Sequence, residues 1–316
     1  RIILSEGTHP VILRAAHFVV NEGIAQPVLL GNESHINELA DRLQVSTDGM
    51  EIIDPLKSPL SEEFTRKLFE LRQRKGWTID ETKSQLLNPY VFGAMMVRER
   101  YAEGQVHGIS RSYPNSIRPL LQVIPKRNGV STVAGLYLML FKNRTLLFAD
   151  CTVNVEPSEE DLAEIAILAS EMAEFFGMSP RVAMISFSNF GNSQHPQAKK
   201  VVRAVEIARR RKLGMVIDGE MHADTAVMEN ILSQSFPFNR LGEPANVLIF
   251  PNLSAGNISY KLLERLGGAT AIGPLLIGLS KPCNVLPRNT DMENVVNVIT
   301  VTVAQAQHLD YSKSPL

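Results

Sequence analysis

Three arginines stand where a guanidinium can reach an oxyanion. Arg111 and Arg118 lie in GISRSYPNSIRP, and Arg288 lies in the stretch SKPCNVLPRNTDMENVV; both stretches are rich in Ser, Pro and Asn and read as loops at the arginines. The planar guanidinium fork donates two parallel hydrogen bonds to a phosphate or carboxylate, so an arginine in such a loop is suited to gripping an anion. Arg72 and Arg74 end a helical pattern, where attraction to the negative end of the helix dipole is the simpler explanation. A second ingredient is SFSNFGNSQHPQAKK, where the apolar run VAMI passes into Ser186, Ser188, Asn189, Gly191 and Ser193 before Pro196 opens a helix. Unpaired backbone N–H groups at such a junction suit a phosphate, although many loop-to-helix junctions share the pattern. Arg209, Arg210 and Arg211 fall in a helical run and read as a solvated face. In DGEMHAD the groups Asp218, Glu220, His222 and Asp224 alternate, so an extended chain would put them on one face. A polar strand end with a helix cap at Asp224 explains them more simply than a metal, and no metal site is expected.

Other chemistries are excluded by what is missing. The chain has no G-x-G-x-x-G after a strand, no G-x-x-x-x-G-K-[ST] and no G-x-S-x-G. Its seven histidines are scattered without metal-ligand spacing. A formal net charge of −1 gives no bias toward nucleic acid or acidic membranes, so an anionic ligand must be held by local groups. Cys151 and Cys283 do not suggest a disulfide framework and read as free thiols in a reducing compartment. No apolar run approaches the ~18 residues needed to span a bilayer. A cytoplasmic protein without a membrane partner is the expectation.

The elements that must position these groups follow from hydrophobic period. At 316 residues, two domains or one large α/β unit is the expectation. Short β-type runs alternate with amphipathic helices, which predicts α/β layers on a largely parallel sheet. RIIL reads as a strand, THPVILRAAHFVVNEG as a helix opened by Pro10 and stopped by Gly23, and QPVLLG as a strand followed by a helix capped by Asn32. SEEFTRKLFELRQRKG reads as a helix ending at Gly76, and Thr78 with Glu81 forms a capping-box signature. STVAGLYLML and RTLLFAD read as adjacent strands, and Ser158 opens a helix with Leu162, Ile165, Ala169, Met172 and Phe176 on one face. Then RVAMISFS, MVIDGEM, ANVLIFP and TAIGPLLIG alternate with helices, and VVNVITVTVAQAQ reads as a final helix. A domain change is expected near IPKRNG, residues 124–129.

The motifs GISRSYPNSIRP, FADCTVNVEPS, SFSNFGNS, DGEMHADTA, NVLIFPNLSAGNISYKLL and AIGPLLIGLSKP occur in this order over nearly the whole chain. Together they resemble the phosphate acetyltransferase family. SRSYP, SNFG and GEMHAD look more like the acetyltransferase-like C-terminal domain of hybrid bacterial NADP-dependent malic enzymes, and a start at RIIL fits a piece cut from such a hybrid. The resemblance implies two α/β domains with a cleft between them, isopropylmalate-dehydrogenase-like. Domain I would be residues 1–128 plus 285–316, and domain II, carrying the dimer contact and ligand cleft, residues 129–284. In the family a CoA thiol attacks acetyl phosphate, an arginine holds phosphate and oxyanion, a serine before it assists, and an aspartate takes the thiol proton. Laid onto this chain the arginine is Arg288, but Pro287 stands at the serine position and Asn294 at the aspartate position. Proline has no hydroxyl, and an amide is no carboxylate base. Asp291 lies before Asn294 in the loop, and a helix over 292–308 turns Glu293 about 100° away from it.

The expectation is therefore a binding site without catalytic residues, made of Arg288, Arg118, Arg72 and the loop groups Ser186, Ser188, Asn189, Gly191 and Ser193. It would be an acetyl-CoA-sensing regulatory domain of a hybrid malic enzyme, with NADP and Mg or Mn in an upstream domain and a homo-oligomer built through domain II. The alternatives are an active phosphate acetyltransferase and an assembly-only module.

Overall fold

The computed structural model describes residues 1–308, so the part of domain I expected at 309–316 lies outside the described residues. The chain divides into two compact units. Unit 1 holds residues 1–128 and the segment from Leu279 onward, and unit 2 holds Gly129–Gly278.

In unit 1 the elements are β1 (Ile2–Leu4), α1 (Pro10–Asn21), β2 (Pro27–Leu30), α2 (Glu33–Leu43), β3 (Glu51–Ile53), α3 (Ser61–Arg72) with a 3₁₀ turn at Gln73–Lys75, α4 (Ile79–Leu86), α5 (Pro89–Arg98), β4 (Gly104–His107) and α6 (Tyr113–Val123). Unit 2 contributes β5 (Ala134–Phe141), β6 (Arg144–Ala149), α7 (Glu159–Phe175), β7 (Val182–Ile185), α8 (Pro196–Arg211), β8 (Ile217–Met221), α9 (Ala223–Val227), α10 (Glu229–Ser235), β9 (Val247–Ile249), α11 (Leu253–Arg265) and β10 (Thr270–Ile277). The chain then returns to unit 1 as β11 (Cys283–Val285) and α12 (Met292–His308). The return falls at Leu279 rather than at the expected 285, because β11 is hydrogen-bonded into the sheet of unit 1 beside β4.

The sheet of unit 1 is parallel throughout, in the order β11-β4-β1-β2-β3. From β1 the chain runs outward through β2 and β3, then returns to place β4 on the other side of β1. This reversal of winding makes the carboxyl ends of β1 and β4 a topological switch point, the position where open α/β sheets generally bind ligands. Ile2, Ile3 and Leu4 are buried, as a strand covered on both faces requires. Unit 2 is mixed, in the order β10-β5-β6-β9-β7-β8. Its β10–β5 and β5–β6 pairs are antiparallel and the others parallel, so the expectation of a largely parallel sheet fits unit 1 better than unit 2.

Local signals are realised where they were strongest. Asn32 caps α2 by accepting from the His35 N–H at 3.1 Å, and Ser158 and Asp161 cap α7 reciprocally. Met139, Phe148, Ala183, Met221 and Phe250 form one buried cluster in unit 2, with the Phe148 and Phe250 rings edge to face at 5.1 Å. No described helix is long and apolar enough to cross a membrane.

Candidate functional site

At the carboxyl edge of the parallel sheet in unit 1, a buried carboxylate organises the loop that follows β4. Glu6, just past β1, accepts hydrogen bonds from the backbone N–H groups of Gly108 (2.7 Å), Ile109 (3.1 Å) and Ser110 (2.8 Å) and from the Tyr90 hydroxyl (2.6 Å). Burial opposes its ionisation, but the bonds from Tyr90, Gly108 and Ser110 outweigh burial and hold its pKa below the ordinary carboxylate value. The loop is pressed against its neighbour. Gly108 has φ +124°, and a Cβ there would lie 2.8 Å from the Leu286 carbonyl oxygen, so only glycine fits. The Leu286 N–H in turn donates to the His107 carbonyl at 2.7 Å.

Arg111 and Arg288 therefore leave the same edge from adjacent parallel strands, β4 and β11, which pair with Val285 opposite His107. Arg111 lies over the Tyr90 ring, 4.7 Å from its centroid, and the other neighbour of that ring is His107, stacked at 4.2 Å. The fully buried His107 points Nε2 at the Ser116 carbonyl, 2.9 Å away. A carbonyl only accepts, so Nε2 carries the proton. Burial lowers the His107 pKa to about 4, and the ring is neutral at neutral pH.

These two groups fix an acid response. Below about pH 6.5, the ordinary histidine value, the unfolded chain protonates His107 while the folded chain resists, so stability falls as pH drops toward 4. Glu6 contributes fully above the ordinary carboxylate value and loses its contribution as pH falls through its lowered folded pKa. Glu6→Gln is expected to cost about 1.5–3 kcal/mol at pH 7 by urea unfolding. That difference from the wild type should shrink below pH ~4.3. A difference that stays constant to pH 3 would show that the ionised carboxylate is not what holds the loop.

Arg118 lies on α6, not in a loop as GISRSYPNSIRP suggested; it is exposed and makes no hydrogen bond or ion pair with the described residues. Arg288 is likewise exposed and unpaired among the described residues. Arg72, at the end of α3, sits 5.3 Å from the Trp77 ring centroid with its Nε buried and without a partner, and no hydrogen bond links it to the loops of Arg111 or Arg288. Asn294 occupies the first turn of α12. Its backbone N–H donates to Asp291 Oδ1 at 2.8 Å and its amide donates to Thr290 Oγ1 at 2.8 Å. Asp291 is thus engaged as the cap of α12.

The loop after β7, in unit 2, has part of its donor set held internally, because the neighbouring strand β8 supplies a carboxylate. Glu220, 1% exposed, accepts from the Ser188 hydroxyl and the Gly191 N–H, both at 2.8 Å. The Ser193 N–H donates to Ser188 Oγ at 3.1 Å, Asn189 Oδ1 accepts from the His222 N–H at 2.8 Å, and the Ser186 N–H donates to the Met221 carbonyl at 2.8 Å. Of the five expected phosphate donors, Ser188 and Asn189 are buried in this network, and the N–H groups of Ser186, Gly191 and Ser193 are occupied by it. The sequence reading missed Glu220 as the partner, since only parallel pairing of β7 with β8 brings DGEM alongside.

Asp218 and two of the three helical arginines also have internal roles. Arg209 donates to Asp218 Oδ1 at 2.7 Å, and Arg211 to the buried Glu164 at 2.7 Å, so the run 209–211 is only partly a solvated face. His222, not Asp224, precedes the first residue of α9. No group of three or more His, Cys, Asp or Glu side chains is arranged to hold a metal among the described residues. The second hub, also unread in the sequence, is Asp150 after β6. Its carboxylate accepts from the N–H groups of Gly135 (3.0 Å), Thr152 (2.8 Å), Val153 (3.1 Å) and Asn154 (2.7 Å), and from the Asn154 amide. Cys151 and Cys283 are both free and buried, and burial pushes the Cys283 thiol up to about 12.

Residues 1–303 match the family model described as "Phosphate acetyl/butaryl transferase". The chain is 41% identical over 314 residues to a phosphate acetyltransferase of Thermoanaerobacterium thermosaccharolyticum, covering 97% of this chain and 95% of the relative. It is 36% identical over 306 residues to that of Bacillus subtilis, covering 97% and 94%. A phosphotransacetylase from Streptococcus pyogenes matches the structure with a TM-score of 0.92 at 34% identity, covering 97% of this chain and 93% of that one. The fold reaches further. A 4-hydroxythreonine-4-phosphate dehydrogenase from Burkholderia phymatum matches with a TM-score of 0.51 at 12% identity, covering 98% and 95%.

Proposed function

Because the chain belongs to the phosphate acetyl/butaryl transferase family, we propose that it moves an acetyl group between the sulfur of coenzyme A and phosphate. The observation that carries the reading is Arg288, exposed and unpaired among the described residues, at the carboxyl edge of a parallel sheet and beside the loop of Arg111. The relatives are named phosphate acetyltransferases, which favours acetyl transfer over the narrower hybrid suggested by SRSYP, SNFG and GEMHAD.

In this reaction the thiolate sulfur attacks the carbonyl carbon of acetyl phosphate. The C–S bond forms, and the C–O bond to phosphate breaks with its electron pair on the departing phosphate. A guanidinium placed beside that phosphate and the carbonyl oxygen stabilises the charge that grows in the transition state. The thiol proton has to leave, and the Asn294 amide cannot accept it. With the proton going to solvent, the rate follows the thiolate fraction and rises about tenfold per pH unit below the thiol pKa. The test is to mix the purified protein with acetyl phosphate and CoA and follow thioester absorbance from pH 6 to 9. Turnover that climbs with pH supports the reading, and none above the solution background at any pH overturns it.

A second reading is favoured by Pro287 and Asn294 themselves. A chain that keeps the anion-binding arginine and lacks both hydroxyl and base suits an effector site, in which acetyl-CoA would inhibit NADP- and Mg- or Mn-dependent malate decarboxylation by an upstream malic enzyme domain. Domain II would then join protomers into a homo-oligomer. Calorimetry separates the readings: acetyl-CoA binding without turnover favours the regulator, and neither binding nor turnover favours an assembly-only module. In both binding readings Arg118→Ala is expected to weaken acetyl-CoA at least about tenfold and to reduce the salt dependence of binding. Unchanged affinity would remove Arg118 from the site.

A further inference from the structure

The opposite edge of the sheet in unit 2 carries a cavity of about 360 Å³, within the range of small-ligand sites. It lies where β6, β7 and β9 begin, whereas Asp150 and the 186–193 loop lie where those strands end. Arg144 opens β6, Arg181 precedes β7 and Asn246 precedes β9, and all three line the cavity with the apolar groups Leu146, Met178 and Ala245. None of the lining residues is acidic, so the wall carries two guanidinium charges with no carboxylate among them.

Arg181 is held in place. Its Nε donates to the Pro244 carbonyl at 2.8 Å, and its backbone N–H donates to Asn246 Oδ1 at 2.8 Å. Its other contact is Glu243, 3.4 Å away and 71% exposed, the kind of surface pair that adds little and yields to a better anion. Arg144 donates one Nη1 bond to the Val227 carbonyl at 3.1 Å and lies 5.7 Å from the Phe141 ring centroid. Each guanidinium therefore keeps donors that no described residue accepts, and two such forks among the residues lining one concave, partly apolar wall suit an oxyanion on a short carbon body.

We propose that this cavity is a second anion site, distinct from the carboxyl-edge site, that takes a small phosphate- or carboxylate-bearing molecule. Strand β6 links it to the Asp150 hub, since Arg144 begins that strand and Asp150 follows its last residue.

The test uses the whole chain with inorganic phosphate and with succinate as probes. Amide hydrogen exchange of the unsubstituted protein should slow at 144–146 and 179–181 with at least one probe, and the tighter probe identifies the head group. Measured by calorimetry in an Arg288→Ala background, which removes the carboxyl-edge component, affinity should fall at least tenfold on adding Arg144→Gln or Arg181→Gln, and partially on adding Arg181→Lys, which keeps the charge without the fork. Loss of binding in Arg288→Ala alone would place the anion only at the carboxyl edge and overturn the proposal. So would unchanged exchange at 144–146 and 179–181 with both probes.

Discussion

Asn294→Asp, combined with Pro287→Ser, is expected to raise acetyl transfer by roughly 10²–10⁴-fold, the usual contribution of a positioned general base. That corresponds to about 2.7–5.5 kcal/mol of transition-state stabilisation. The position suits a carboxylate in size and in its place on the helix. Asn294 and Asp have the same shape, the residue is only half-buried, and it lies in the first turn of α12, where negative charge meets the positive end of the helix dipole. The bond from the Asn294 amide to Thr290 reverses, with the Thr290 hydroxyl donating instead. Asp291 is no substitute, because its Oδ1 already accepts from the Asn294 N–H. A resident base should also flatten the pH–rate profile, since the thiol would no longer need to ionise in solution. A substituted protein no faster than the wild type, with the same slope against pH, would show that the position does not face the thiol.

Asp150→Ala is expected to destabilise the protein by about 3–5 kcal/mol, the large value typical of leaving several buried donors unpaired. Asp150 is 3% exposed and gathers four backbone N–H groups and the Asn154 amide, from β5 and from the turn after β6. α11 closes over this end of the strand so tightly that a Cβ on Gly256 would lie 2.2 Å from the Asp150 carbonyl oxygen. Asp150→Asn keeps one acceptor oxygen and should lose less. Urea midpoints for both substitutions test this, and a loss below about 1 kcal/mol in Asp150→Ala would mean that the turn relaxes and rehydrates its donors.

Glu220 shows why the internal partners of one loop were not legible in the sequence. Ser188, Asn189, Gly191 and Ser193 looked like an anion cradle because small and hydroxyl residues at a strand-to-helix junction leave donors free in the local chain. In the fold the Ser188 hydroxyl and the Gly191 N–H meet Glu220, a contact that links residues from different strands and has no local signature. Arg118 was read as a loop residue because Ser, Pro and Asn crowd its motif, yet Pro114 sits in the first turn of α6, where its missing N–H breaks no helical bond. β4 and β11 were missed for different reasons. GQVH carries polar residues whose Nε2 atoms are held in a buried network with Ser5, Tyr90 and Ser116, and CNV is too short to show a period.

What the sequence determined by itself was local and periodic. Helix starts at Pro10, Asn32, Ser158 and Pro196, the paired strands β5 and β6, the final helix and the family motifs were all legible, because capping and amphipathic period act over a few residues. The identities of Pro287, Arg288 and Asn294 were legible too, since composition alone says which groups can donate, accept or carry charge. Tertiary structure decided which of those groups are free. Arg111 and Arg288 share an edge because β4 pairs with β11, and Glu220 fills the loop after β7 because β8 lies beside it. Availability of a polar group depends on every neighbour within about 3 Å, and most of those neighbours are distant in sequence.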